Sequence, residues 1–206
     1  MNSGPTSERV YDALKQRILA REFRPGAHLD PNSLASTLGS SVTPVRDSLH
    51  VLKGEMLVEA RTSEGFYLPH IDAPSLQDLY LWNNAVLGLA LKDRRTPSSN
   101  GQGRAAAMSG PLSTADHAAC LFATIGRRSL NLENHRAIAS INDRLHAARL
   151  VEAHVLEGVA EELHAIEEAI MRSAVAAVRT AIGSYHRRRM RAVSDIVRGL
   201  YRNGGR

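Results

Sequence analysis

Thr43, Pro44 and Arg46 open an amphipathic run, and their types suit contact with a nucleic-acid backbone and a base edge. A threonine hydroxyl can bond a phosphate oxygen, and an arginine in the first turn of a helix can reach a phosphate or the edge of a guanine. Thr43 reads as a helix cap. Pro44 reads as the first helical residue, since it lacks an amide that would have had no partner there. From that start Val45, Leu49 and Leu52 fall on one face, while Thr43, Arg46, Asp47 and His50 fall on others. Supporting contacts are assigned to Ser41 in the turn before the run, Asn32 in the preceding short run, Arg61, and Gly65, where a backbone can approach a phosphate closely.

These residues need a scaffold, and the neighbouring sequence supplies its signals. Residues 31–38 form a short amphipathic helix begun by Asp30-Pro31, and Gly39-Ser40-Ser41 turns it into the second run, which ends near Gly54. Helix, glycine turn and a second helix with a polar leading edge make a helix-turn-helix, whose second helix enters the major groove. Upstream, residues 7–21 place Val10, Leu14 and Ile18 on one stripe, with Thr6 or Ser7 as cap. Phe23-Arg24-Pro25-Gly26 then breaks that helix, and residues 27–29 form an extended link. Downstream, residues 56–61 and 66–68 flank the turn residues 62–65 and predict a two-stranded hairpin. The order predicts a winged helix-turn-helix over 1–71 with Gly65 near the wing tip.

A boundary falls at 69–75, where Ser75 and Asp78 stand at capping-box spacing for a helix over about 75–93. Residues 94–113, rich in Gly, Pro and Ser, read as a mobile loop. Helical patterns then cover about 114–128, 132–156, 158–177 and 178–202, the last two being either one bent helix or two joined near Ser173-Ala174. The predicted architecture is therefore mainly α: the winged domain plus an all-α bundle of about five helices over 72–206.

Whole-chain totals narrow the function classes. The 206 residues are 43% hydrophobic and 23% charged but only 4% aromatic, which suits a soluble helical protein. The single cysteine, Cys120, excludes an intramolecular disulfide and reads as a small core residue. No stretch approaches the roughly 18 apolar residues of a membrane span, and the polar N-terminus lacks a signal-peptide core, so a cytoplasmic, non-membrane protein is expected. The formal charge is +5, yet residues 1–71 carry eight basic and eight acidic side chains. Charge alone therefore does not nominate the helix-turn-helix segment as a DNA binder. The excess lies beyond it, notably in Arg187, Arg188, Arg189, Arg191, Arg198, Arg202 and Arg206, read chiefly as solvated cations near a helix C-terminus.

The N-terminal segment resembles the GntR family of bacterial transcription regulators. The likeness rests on Val10-Tyr11, Ile18-Leu19, Pro25 through Leu29, Leu34-Ala35, Leu38-Gly39, Thr43 through Arg46, Leu49, Leu52, Leu57-Val58 and Gly65. The helical part is similar to the effector-binding domain of the FadR branch, the FCD type, through Leu121-Phe122, Ile125 to Asn131, and His164 and His186 at a separation of 22 residues. At the positions where a metal-binding relative has Asp and His four apart, this chain has Ala118 and Phe122. The domain's usual Arg and Glu are replaced by Asn83 and Leu87, and a basic residue usual before the Thr-Pro is Val42.

The resemblance implies a homodimer on a palindromic double-stranded operator, governed by a small-molecule effector, an organic acid, with repression relieved by ligand as the family expectation. His164 and His186 are the implied ligands of a divalent metal of the Zn or Ni type. With Arg149, the same two histidines could instead hold an effector carboxylate. Asp116 and His117 enter such a site only if their helix is shifted. Glu161-x-x-His164 lacks the second copy a di-iron bundle needs. An enzyme is not expected, because neither a nucleophile nor a full ligand set is visible. The alternatives are a regulator that works without an effector and a metal-dependent enzyme on the helical domain.

Overall fold

A computed structural model describes residues 5–62, 64–93 and 113–202. The chain divides into two compact units, 1–71 together with 200–206, and 72–199.

In the first unit, α1 (Pro5–Leu19), β1 (His28–Leu29), α2 (Pro31–Leu38), α3 (Val42–Gly54), β2 (Glu59–Arg61) and β3 (Gly65–Tyr67) follow in order. The apolar stripe of α1 meets that of α3. Val10, Leu14, Val45, Leu49 and Leu52 are fully buried, and each such leucine stabilises the unit by about 1.5–3 kcal/mol. At the edge of this contact Glu55 accepts from the Tyr11 hydroxyl at 2.5 Å and from Lys15 Nζ at 2.9 Å, tying α1 to the end of α3.

Several local expectations change in detail. Helix α1 already includes residues 5–7, so Thr6 and Ser7 lie inside it rather than capping it. Asp30 caps α2, accepting from the amides of Asn32 and Ser33. Gly39 closes α2 in the left-handed conformation, φ 57° and ψ 46°, which a side chain would strain. Helix α3 begins at Val42 with Ser41 as its extended N-cap, so Thr43 and Pro44 are its second and third residues. The reason is that all the amides of a first turn lack acceptors, and proline is as harmless at the third position as at the first.

The wing holds three strands rather than two. β3 is central, pairing with β2 (Glu59 with Tyr67, Ala60 with Phe66, Arg61 with Gly65) and with β1 (His28 with Tyr67, Leu29 with Phe66), all antiparallel. A two-residue strand shows no alternation by itself, and only its distant partner makes it a strand.

Among its described residues the second unit holds five helices, α4 (Ala73–Lys92), α5 (Thr114–Arg128), α6 (Leu132–Val155), α7 (Val159–Met171) and, as far as residue 199, α8 (Val175–Arg202). The capping box of α4 lies one turn earlier than expected. Asp72 accepts from the Ser75 amide at 2.8 Å while its own amide donates to Ser75 Oγ at 3.2 Å. Pro74 forces this, since it fits only the first turn. Helices α7 and α8 are separate, divided at Ser173 by a φ of 53°. The loop expected over 94–113 lies outside the described residues as far as 112; Ser113 is the N-cap of α5 and accepts from the Asp116 amide.

Candidate nucleic-acid interface and interior polar cluster

The leading edge of α3 is open. Ser41, Thr43, Arg46, Asp47 and His50 are exposed, while Val45, Ser48 and Leu49 on the opposite face are buried. Ser41 makes no side-chain capping bond, so the amides opening α3 are left with their positive end unopposed. Among the described residues Arg46 has no hydrogen-bond or ion-pair partner, in contrast to Arg17, which pairs with Glu22. Pro44 is half-buried and uses its carbonyl to accept from Ser48 Oγ at 2.8 Å.

The supporting residues are spread over neighbouring elements. Asn32 is exposed on the first turn of α2, with its side-chain amide 3.4 Å from Asp30 Oδ1. Arg61 is half-buried, its guanidinium 4.2 Å above the Tyr67 ring, which fixes the arginine along the wing. Gly65 is exposed with φ 97°, and a Cβ built there would meet His28 Nε2 at 3.0 Å. Glycine therefore suits the position both by conformation and by clearance.

The second unit buries charge instead. Glu152, 1% exposed, accepts from the Tyr80 hydroxyl at 2.5 Å, from Arg189 Nε at 2.9 Å and from the Tyr185 hydroxyl at 3.5 Å. Arg189, fully buried, also donates to Glu162 and to the Tyr185 carbonyl, and lies 3.4 Å from the centre of the Tyr185 ring. Burial opposes the charge on Arg189, but Tyr185, Glu152 and Glu162 outweigh it and raise its pKa. Burial, with Glu152 adding to it, pushes the hydroxyls of Tyr80 and Tyr185 up, so both stay neutral donors.

Beside this network stand groups with buried polar atoms that no protein group bonds. Arg149 is 1% exposed. Its Nη1 donates to Asn142 Oδ1 at 2.9 Å and its guanidinium lies 5.1 Å from the Phe122 ring, yet Nε and Nη2 are unbonded and no carboxylate pairs with it among the described residues. His186 Nδ1 bonds the Ile182 carbonyl at 2.8 Å, while Nε2 is buried and unbonded. Both side-chain atoms of Asn83 and Nη2 of Arg189 are orphaned as well. Burial, reinforced by the charges of Arg149 and Arg189, pushes the His186 imidazole down to about 3, against an ordinary 6.5. Each unpaired buried group costs about 1–3 kcal/mol, more when charged, and together they form a donor-rich interior.

The structure does not bring His164 and His186 together as the resemblance implies. His186 is fully buried and stacked at 6.0 Å on Phe122, whereas the His164 side chain is 70% exposed. The interior therefore offers a metal one imidazole nitrogen, with phenylalanine and alanine where the other ligands would stand, and two arginines whose charge repels a cation. These residues do not fit an interior metal. Arg149 accompanies His186; His164 instead faces His117, and no shift of α5 is needed for that. Asp116 is turned to Ser113 Oγ at 2.6 Å and to His146 Nδ1 at 4.0 Å.

Sequence reasoning missed Arg189, Glu152 and Tyr80, and counted Arg189 with the solvated arginines. A signal was present: Arg189 continues the stripe Ile182, Tyr185, Ile196 at helical spacing, and Glu152 continues Leu145 and Ala148. Arg206 lies outside the described residues. An apolar cavity of about 20 Å³, lined in part by Ala90, Leu91, Ile125 and Val178, holds one water at most and does not include Arg149 or His186.

Fold and exposed helix edge together define a winged helix-turn-helix protein with a helical second domain. Residues 6–68 match the family model described as bacterial regulatory proteins, gntR family. The chain is 38% identical over 85 residues to an uncharacterized HTH-type transcriptional regulator in an unstable DNA locus of Streptomyces ambofaciens, covering 41% of this chain and 36% of that protein. It is 29% identical over 70 residues to the uncharacterized HTH-type regulator YdhC of Bacillus subtilis strain 168, covering 34% and 31%. The match thus spans about a third of the length of these curated relatives. The matched family and relatives are transcriptional regulators, not enzymes.

Two solved structures share the fold across nearly the whole chain. A GntR transcriptional regulator of Rhodococcus sp. RHA1 aligns at TM-score 0.60 and 20% identity, over 91% of this chain and 97% of that one. E. coli McbR/YncC aligns at TM-score 0.63 and 18% identity, over 95% and 99%. Among the described residues no helix is long and apolar enough to cross a membrane.

Proposed function

We propose that this chain is a GntR-type transcriptional regulator that reads a palindromic operator as a homodimer and is governed by an organic anion bound in an FCD-like helical domain. On this reading residues 1–71 bind DNA and residues 72–206 sense the effector and dimerise. The observation that carries the DNA reading is the uncommitted Arg46 on the exposed edge of α3, beside Ser41, Thr43 and the uncapped helix start. Phosphate oxygens suit the amides and hydroxyls there, and a guanine edge suits the free guanidinium. Asn32 and Arg61 flank that edge on α2 and the wing, with Gly65 allowing close backbone approach. Because the segment has no net charge, affinity rests on these placed contacts and on dimerisation rather than on a broad basic field.

The effector reading rests on Arg149, a buried cation whose Nε and Nη2 donors are unbonded and which has no carboxylate partner among the described residues. A ligand carboxylate supplies both the charge and the acceptors that the interior lacks. Repression relieved by ligand follows if the anion binds the DNA-free arrangement more tightly.

Sequences selected from random DNA with the wild-type protein provide the operator. In a mobility shift Arg46→Ala is expected to weaken that complex at least tenfold without changing the oligomer, and unchanged affinity overturns the DNA assignment. A panel of mono- and dicarboxylic acids is expected to release wild-type protein from DNA but not Arg149→Met. DNA affinity unmoved by every acid favours the effector-independent regulator.

A further inference from the structure

The groups left outside this reading converge at one place on the second unit. His117 projects from α5 and His164 and Glu167 from α7, one turn apart, with the two imidazole rings 5.3 Å apart at 65°. His117 Nε2 lies 3.2 Å from Glu167 Oε2, and His164 Nδ1 lies 3.7 Å from the same oxygen. One ligand atom from each residue falls within 4.8 Å of the other two. We propose that His117, His164 and Glu167 form a surface site for a transition-metal dication of the Zn²⁺ class, with water completing the coordination.

Zinc bonds imidazole nitrogen and carboxylate oxygen at about 2.0–2.2 Å, so tetrahedral ligands stand about 3.4 Å from one another. Two of the three separations are already near that value, and closing the third needs rotation of the 70% exposed His164 side chain rather than movement of a helix. Two imidazoles and one carboxylate select a borderline transition metal over magnesium or calcium, which require oxygen ligands. The exposure that lets His164 turn also leaves open coordination positions for water. A hydrogen bond between His117 and Glu167 alone does not account for a second, solvent-exposed imidazole directed at the same oxygen. Bound metal ties α5 to α7, and because imidazole must be unprotonated to ligate, binding weakens on acidification.

This site shares only His164 with the histidine pair named from sequence and lies apart from the buried His186. It is independent of the DNA and effector reading. The test uses tag-free full-length protein stripped with chelator and titrated calorimetrically with Zn²⁺, with metal content then measured after dialysis. One equivalent is expected for the wild type, with at least a tenfold weaker affinity for His117→Gln, His164→Gln and Glu167→Gln, and no change for His186→Gln. His164→Gln alters an exposed side chain and should leave the fold intact, which circular dichroism checks. Cobalt substitution should give visible d–d bands in the wild type that disappear in His164→Gln. Absence of binding by the wild type overturns the site, as does wild-type affinity in His164→Gln or loss confined to His186→Gln.

Discussion

In the first unit Ser48 is the one buried polar side chain among the described residues, whereas the second unit buries Asn83, Asn134, Asn142, Arg149, Glu152, His186 and Arg189. The winged unit is held by apolar packing of α1 against α3 and keeps its polar groups for the outer edge of α3. The helical unit carries ions through its centre, some paired and some not. A surface reader needs a rigid apolar support and free donors outside; a sensor of a small anion needs donors inside, and these tax stability until the ligand arrives.

The largest effect expected from this contrast is on Arg189. Replacing it by Met leaves Glu152 buried without its cation and should destabilise the protein by about 3–5 kcal/mol in urea unfolding. A cost below about 1 kcal/mol would break the contrast, because it would mean the ions are not holding the second interior together.

Next comes pH. Folded His186 takes up a proton only near 3, while in the unfolded chain it does so near 6.5. Its contribution is therefore fully present above about 6.5 and is lost as pH falls towards 3, at roughly 1.4 kcal/mol per pH unit between those limits. Stability measured from pH 7 to 4 should fall along that slope beyond the loss shown by His186→Gln, which lacks the titrating group. Equal slopes would remove His186 from the account.

Smaller still is the expected consequence of Arg46→Ala for specific DNA affinity, about 1.4–3 kcal/mol, with thermal stability unchanged within about 0.5 kcal/mol. A stability loss comparable to the affinity loss would mean that Arg46 belongs to the support and not to the reading edge. Gly39→Ala, at φ 57°, should cost about 1 kcal/mol and Gly39→Asn less, read from the unfolding midpoint.

Legibility followed the same division. Residues 31–54 were readable because their signals are local: Asp30-Pro31 starts α2, Gly39 ends it, and Val45, Leu49 and Leu52 mark one face of α3. The start of α3 was misplaced by two residues because Thr43 is as good a cap by type as Ser41. In the helical unit the helix ranges were legible, but the partners of their polar residues were not. Arg189 and Arg187 are two residues apart and of one type, yet the first is fully buried and the second exposed.

Caps, turns and periodicity act within a few residues, and they suffice for the order of the helices, the winged helix-turn-helix and the helical character of the second domain. Tertiary packing alone sets that β1 joins the wing, that Glu152 meets Arg189 across α6 and α8, that Arg149 has no counter-ion among the described residues, and that His164 faces His117 and Glu167 rather than His186. Those outcomes depend on which helix faces approach one another. A residue's type and spacing limit what it can bond, but the packing of distant segments decides which groups stand opposite it.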